Sequence, residues 1–424
     1  MAPSTSVSPM RPPGMTALAL TAGGARGAYQ AGVLKRIGEI PALRDAPSPF
    51  QIIAGASAGA INGAAVAAYS ECLHTGTSQI AYLWGGLTAD QVYRTDLRAM
   101  LGNAARFGAD IALGRLGRAG RVHSLLDAAP LRALLDRELP LDGIARAVEA
   151  RQLYALAITA TGYHSGKSYS FIQGRAGHPQ WRKSRRIALR APITVDHVCA
   201  SASIPLVFPP VALDAGAGTA WFGDGAMRLT TPLSPAIRLG AERILAIGIR
   251  CRQSEEELTT EELSDNSGGA RATPPQPPLA QICGTFLNAI FLDHLDADLD
   301  HLIRMNNMVS VYTEGASHPP EMSQLREPMR VVQPLVMAPS EDFAVVASSL
   351  LNRLPSSLRF LLDALGTPDA KSADLTSYLL FDPAYTRALL DIGYRDAAAR
   401  IDEIESFLRK NEQTWRVHRG EAGS

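Results

Sequence analysis

Residues 15–21 form a short apolar run that ends in a glycine cluster, after which Ala28, Val33, Leu34 and Ile37 recur at helical spacing. The pattern predicts strand, loop, helix. Residues 50–54 open a second unit of the same kind, with Ser57 at the turn and Ile61, Ala64, Ala65 and Ala68 along the following helix. Two consecutive strand-turn-helix units predict a mostly parallel α/β sheet flanked by helices, with ligands at the carboxyl ends of its strands. Further strands are predicted at 153–159, 168–172, 220–223, 244–249 and 331–336, while 75–150 reads as mostly helical. Later, Phe286, Ile290, Leu295, Leu299, Leu302 and Ile303 predict a long packed helix. Near the end Asp382 and Pro383 read as N-cap and first helical residue, and Ala397, Ile401, Ile404 and Leu408 predict one apolar stripe on a C-terminal helix.

Breaks in that pattern set the domain organisation. Residues 1–14 carry Ser4, Ser8, Pro9, Pro12 and Pro13 without an apolar core, so they predict a disordered tail and no secretory signal. Residues 253–278 run from an acidic stretch into Pro274, Pro275, Pro277 and Pro278 and predict a mobile insertion. The uncharged stretch 46–70 is diluted by Gly55, Gly59, Gly63 and Asn62 and reads as buried strand, turn and helix, not a membrane span. The expected division is a tail, a main domain over 15–340 interrupted by 253–278, and a helical C-terminal extension over 341–424.

Composition narrows the function classes. The chain has 424 residues, 46% hydrophobic and 19% charged, an ordinary globular balance that excludes wholesale disorder. With 41 Lys and Arg against 41 Asp and Glu, no global field steers it toward nucleic acid. Cys72, Cys199, Cys251 and Cys283 are widely spaced, which fits a reducing, cytoplasmic setting and buried small side chains, and argues against a zinc cage.

The chemistry lies in three turns. Gly55-Ala56-Ser57-Ala58-Gly59 is a G-x-S-x-G nucleophile elbow between a predicted strand and helix. Such a turn lifts a serine Oγ above a sheet and sets it at a helix N-terminus, where negative charge is favoured; a plain small-residue turn would carry the same letters. Ala22-Gly23-Gly24-Ala25-Arg26-Gly27 can form a backbone anion nest. It lacks the spacing of a dinucleotide fingerprint, and beside a serine elbow it reads best as an oxyanion hole, with Arg26 bracing either the loop or the anion. Asp224-Gly225-Ala226 ends an apolar run with an acid between two glycines; alone, Asp-Gly is a common turn.

Together the three turns resemble the patatin-like phospholipase family. Residues 22–27 look like its glycine-rich oxyanion loop, Gly55 to Gly59 like its serine elbow and Asp224-Gly225-Ala226 like its aspartate motif, in that order. Ala200-Ser201-Ala202-Ser203-Ile204-Pro205, leading to Phe208-Pro209-Pro210, resembles a further block of the family. The departure is Ala22, where the family usually has the first of three glycines. The resemblance spans 15–249 and implies a patatin-like three-layer α/β fold and a serine lipid acyl hydrolase working through an acyl-enzyme. It implies a Ser57–Asp224 dyad without histidine, an oxyanion hole from Gly23, Gly24, Arg26 and Ala58, motif glycines Gly27, Gly55, Gly59 and Gly225, and no cofactor or metal. A phospholipid or other acyl-ester substrate and peripheral membrane contact follow from it.

Rival patterns remain. A catalytically silent lipid-binding module would keep the same fold, and His197 beside Asp196 would serve a histidine-dependent esterase, although Asp196 also suits the first turn of a helix capped by Thr194. His294, Asp298 and His301 share a helical face and could ligate a metal or simply line a polar face. Gly162 to Ser168 nearly matches a phosphate-binding loop, but the glycine spacing is short and a β-hairpin is expected. Leu97, Met100, Leu101, Ala104, Phe107 and Ile111 form an apolar stripe among Arg94, Arg98, Arg106, Arg115, Arg118 and Arg121, which suits either a packed helix or a membrane-docking lid.

Overall fold

A computed structural model describes residues 14–94, 124–251, 294–315, 330–356 and 373–409, together with 282, 285, 288–290, 358 and 359. All but the last residue of the expected tail, the acidic proline-rich insertion and nearly all of the arginine-bordered stripe lie outside the described residues. At the edge of that stripe Arg94 is described and pairs with Asp127 at 2.9 Å.

The strands are β1 (Thr16–Leu20), β2 (Ile52–Ala56), β3 (Ala155–Gly162), β4 (Lys167–Gly174), β5 (Arg186–Arg190), β6 (Val211–Asp214), β7 (Thr219–Gly223), β8 (Arg243–Ile247) and β9 (Gln333–Met337). They form one sheet in the order β5-β4-β3-β2-β1-β8-β9, with β7 pairing to β3 and β6 to β7. The run β3-β2-β1-β8-β9 is parallel throughout. Its central strands are buried on both faces, as near-continuous apolar segments such as TALAL and RILAI require.

Alternation along those strands divides two cores. Leu18, Leu20, Ile53, Leu245 and Ile247 face the larger one, and Ala17, Ala19, Ile52, Ala54, Ile244 and Ala246 the smaller. Helices that bear on the site are α1 (Gly27–Gly38), α2 (Ala58–Ala68), α3 (Leu73–Gly86), α4 (Ala129–Glu138), α5 (Val195–Ser201), α6 (Ser234–Leu239), α7 (His294–Gly315), α8 (Ala373–Leu379), α9 (Pro383–Ala399) and α10 (Ile401–Arg409). Residues of α1, α2, α8 and α9 contribute to the larger core and those of α6 and α7 to the smaller, which makes three layers. Among the described residues no helix is long and apolar enough to cross a membrane.

Several sequence expectations shift. The second strand runs to Ala56, directly into Ser57, because the small motif residues continue the extended backbone. Strands β5 and β6 were not anticipated: the first carries arginine at both ends and the second has four residues. The single C-terminal helix is two, broken at Arg400 (φ −120°), whose guanidinium donates to the Val336 carbonyl at 2.7 Å. Cys72, Cys199 and Cys251 are only partly buried, where fully buried side chains were expected.

Register places the loops. Leu20 pairs with Gly55 on one side and Ile247 on the other, so the turn after β1 and the elbow after β2 leave the sheet side by side. Thr161 of β3 pairs with Gly223 at the end of β7, while Thr159 pairs with Ala56. Asp224 and Ser57 therefore emerge at the same edge.

Candidate active site

Ser57 joins β2 to α2 at φ 55° and ψ −125°. For a residue with a side chain this is a strained conformation, of a kind that concentrates at functional turns. The flanking glycines make the turn possible: a Cβ on Gly55 would lie 2.2 Å from the Gly59 carbonyl oxygen, and one on Gly59 2.4 Å from that of Leu20. The Ser57 N–H donates to Ser201 Oγ at 2.9 Å, and the Ser201 hydroxyl donates onward to the Thr159 carbonyl at 2.6 Å. Ala58 and Gly59 open α2, where their N–H groups have no carbonyl of their own helix within reach.

Asp224 is fully buried. Its N–H donates to the Ser203 carbonyl at 2.9 Å, and its own carbonyl accepts from Thr161 Oγ1 at 2.8 Å. Oδ1 accepts from the Ala226 N–H at 2.9 Å, while Oδ2 has no hydrogen-bond partner. Burial raises the carboxyl to about 7, and the neighbouring Ser57 hydroxyl and the Ala226 N–H pull it back only in part. The serine thus stands close enough to stabilise the carboxylate without a closed hydrogen bond. Residues 200–205, singled out in the sequence without a role, hold both partners: Ser201 by its hydroxyl and Ser203 by its carbonyl.

In the glycine loop, Gly24 has φ 55°, and a Cβ there would lie 2.4 Å from the Tyr378 carbonyl oxygen of α8. Arg26 was counted with the oxyanion hole from sequence. Its buried guanidinium donates to Ser377 Oγ at 2.8 and 2.6 Å and to Asp374 Oδ1 at 2.8 Å. Of the two roles open to it, the geometry is that of a brace for the loop.

A buried polar chain that sequence reasoning missed stitches this edge together. Gln30 Nε2 donates to the Thr21 carbonyl at 2.9 Å and that of Ile247 at 3.2 Å, Asn62 Nδ2 to the Gly27 carbonyl at 3.0 Å and Gln30 Oε1 at 3.1 Å, and Trp84 Nε1 to Asn62 Oδ1 at 2.7 Å. Only the lone Asn62 inside an otherwise apolar helix hinted at it.

Two cavities flank the site. One is almost wholly apolar, opens at Ser57 and Ala58, and is lined by Ile61, Trp84, Leu134, Phe208 and Phe381 among others. The other lies at the ends of β1 and β8 and is lined in part by Thr21, Ala22, Ala226, Arg250 and His294.

His197 lies in the first turn of α5, its Nδ1 2.9 Å from the Thr194 Oγ1 and accepting the Thr194 N–H at 3.2 Å, with its ring edge-on to Phe171. Burial lowers it to about 4. Asp196 pairs with Arg132. Asp298 accepts the Leu233 N–H at 2.8 Å at the start of α6, and burial raises it to about 6. Among the described residues no group of three or more His, Cys, Asp or Glu is placed to hold a metal ion. Gly162 pairs with Lys167 across a β3-β4 hairpin, as expected.

Comparison with known proteins gives the following. A family model described as patatin-like phospholipase matches residues 18–237, just over half of the chain. No curated protein sequence matches. Among solved structures, VipD from Legionella pneumophila is similar at 14% identity and a TM-score of 0.31, with 89% of this chain and 67% of that one covered. Human GIVD cytosolic phospholipase A2 in complex with methyl gamma-linolenyl fluorophosphonate is similar at 13% identity and a TM-score of 0.39, with 95% of this chain and 59% of that one covered.

Proposed function

Since the chain belongs to the patatin-like phospholipase family, we propose that it is a serine lipid acyl hydrolase with a Ser57–Asp224 dyad. The observation that carries this reading is the buried Asp224 carboxylate, with one unpartnered oxygen, facing a serine held on a strained elbow. A normal carboxylate is too weak a base for a serine hydroxyl, and one raised to about 7 by burial is better matched to the task at neutral pH.

In this reaction Asp224 Oδ2 takes the Ser57 proton as Oγ attacks the acyl carbonyl carbon. The resulting oxyanion accepts hydrogen bonds from the N–H groups of Gly23, Gly24 and Ala58. Collapse breaks the ester C–O bond, and the leaving alcohol departs with the proton from Asp224. Water then repeats the sequence on the acyl-enzyme, with Asp224 again accepting and returning a proton, to release a fatty acid. The apolar cavity beside Ser57 suits one acyl chain, and the more polar cavity past Ala22 and Ala226 suits the alcohol or headgroup. The substrate class is accordingly a phospholipid, lysophospholipid or other acyl ester met at a lipid surface. The wide spacing of the four cysteines favours the cytoplasm as its setting.

Covalent labelling by a fluorophosphonate, with hydrolysis of lysophospholipid and p-nitrophenyl esters, tests the proposal. Wild type should label and turn over; Ser57→Ala should do neither, and Asp224→Asn should lose turnover by about 10⁴-fold. An unlabelled, inert wild type would leave a silent lipid-binding module as the better description.

A further inference from the structure

We propose that helix α8, outside the residues matched by the family, is a working part of the catalytic centre: Asp374 and Ser377 grip Arg26 and thereby fix the 22–27 loop in the form that presents its oxyanion donors. This rests on the acyl-hydrolase reading above and adds positioning residues to it.

The grip is specific in its geometry. Arg26 is 3% exposed and lies under one turn of α8, where Asp374, Ser377 and Tyr378 share a face. Its guanidinium makes three hydrogen bonds to the first two and stacks 4.2 Å from the centre of the Tyr378 ring. Ser377 donates its own hydroxyl proton to the Asp374 carbonyl, which leaves its oxygen free to accept twice from Arg26. A guanidinium taken out of water is tolerated only with its counter-charge and acceptors in place. The loop therefore cannot keep Arg26 inside unless α8 is docked.

The backbone of α8 bears on the same loop. The Tyr378 carbonyl occupies the space that any side chain at Gly24 would need, so the left-handed turn at Gly24 and the position of α8 fit each other. Following residues extend the contact to the substrate side: the Tyr93 hydroxyl donates to the Leu379 carbonyl at 3.1 Å, and Phe381 lines the apolar cavity. One segment thus touches the oxyanion loop and the acyl cavity together; because the polar grip itself falls on the loop, releasing it should disturb the transition state more than ground-state binding.

The test uses the full chain and compares wild type with Asp374→Asn/Ser377→Ala, Ser377→Ala and Ser377→Thr. Two readouts apply: amide hydrogen exchange over 22–27, and kcat and KM on a soluble p-nitrophenyl ester. The double variant should exchange about tenfold faster in the loop with β1 unaffected, and lose about tenfold or more in kcat with KM within about twofold. Ser377→Thr, which keeps the hydroxyl, should restore both. Glu341→Gln, which removes an exposed ion pair to Arg395, should change neither. If the double variant does not fold, Ser377→Ala decides by the same measurements. Wild-type exchange in the loop, or an unchanged kcat, in a folded variant would overturn the proposal. Should wild type neither hydrolyse ester nor react with a fluorophosphonate, the acyl-hydrolase reading fails by itself, and the exchange data still decide: a loop freed by the variants supports the latch, an unaffected loop refutes it.

Discussion

Asp224→Asn should make the protein more stable as well as inactive, and the gain should grow with pH. The carboxyl titrates at 3.8 in an unconstrained chain and at about 7 when buried in the fold. Between those values the folded protein holds a proton that the unfolded chain has released. Wild-type stability therefore falls as pH rises through this window, by about 1.4 kcal/mol per pH unit, and levels off above the folded value. The whole difference is on the order of 4 kcal/mol, since the group has no exposure that would let solvent screen it. Asparagine is neutral at every pH, and its carbonyl oxygen can still accept the Ala226 N–H. The advantage of the variant should be near zero at about pH 4 and complete at about pH 8. Urea unfolding of both proteins across that range measures it; Asp298, also raised by burial, titrates in both and cancels in the difference. A gap that does not change with pH, or that widens toward acid, would refute the argument that burial holds Asp224 partly protonated.

The same carboxyl should set the rate: kcat/KM should climb through about pH 7 as Asp224 ionises, with no second limb from His197, which burial keeps neutral above about 4; a rate that follows a histidine substitution would contradict this. Asn62→Ala leaves Trp84 Nε1 and Gln30 Oε1 without their partners and should cost roughly 2–4 kcal/mol in urea unfolding. Leu134→Trp should fill the apolar cavity and lower kcat/KM for long-chain esters about tenfold more than for butyrate, read from a chain-length series. EDTA should leave turnover unchanged, since backbone N–H groups are the proposed electrophile; a chelator-sensitive rate would place a metal in the reaction.

What the sequence disclosed was local. The Gly-x-Ser-x-Gly turn, the glycine loop and Asp224-Gly225-Ala226 each need particular residues within a few positions, so their shapes could be read before any contact was known. The central strands announced themselves because burial on both faces demands unbroken apolar runs. The supports could not be read that way. Ser201 meets Ser57 across 144 positions, and Arg26 meets Ser377 across 351, with ordinary serines and an aspartate that suit any surface equally well. Arg26 could be assigned to a loop or an anion from its neighbours, and only the partner from the far end of the chain decides. Edge strands β5 and β6 escaped for the opposite reason: half-exposed and short, they have too few apolar positions to show a period.

The stretch from Ser201 to Ser203 has a mechanical consequence. Ser57 and Asp224 arise from different strands, and thermal flexing of the sheet would ordinarily change their separation. Here both are hung from a single bracket two residues wide, one by a serine hydroxyl and the other by a serine carbonyl. Displacement of the bracket carries the pair along as a common motion and leaves their separation nearly constant. The arrangement is correspondingly intolerant of changes in length. Removing Ala202 would draw the two attachment points together and pull Ser57 and Asp224 out of their present relation.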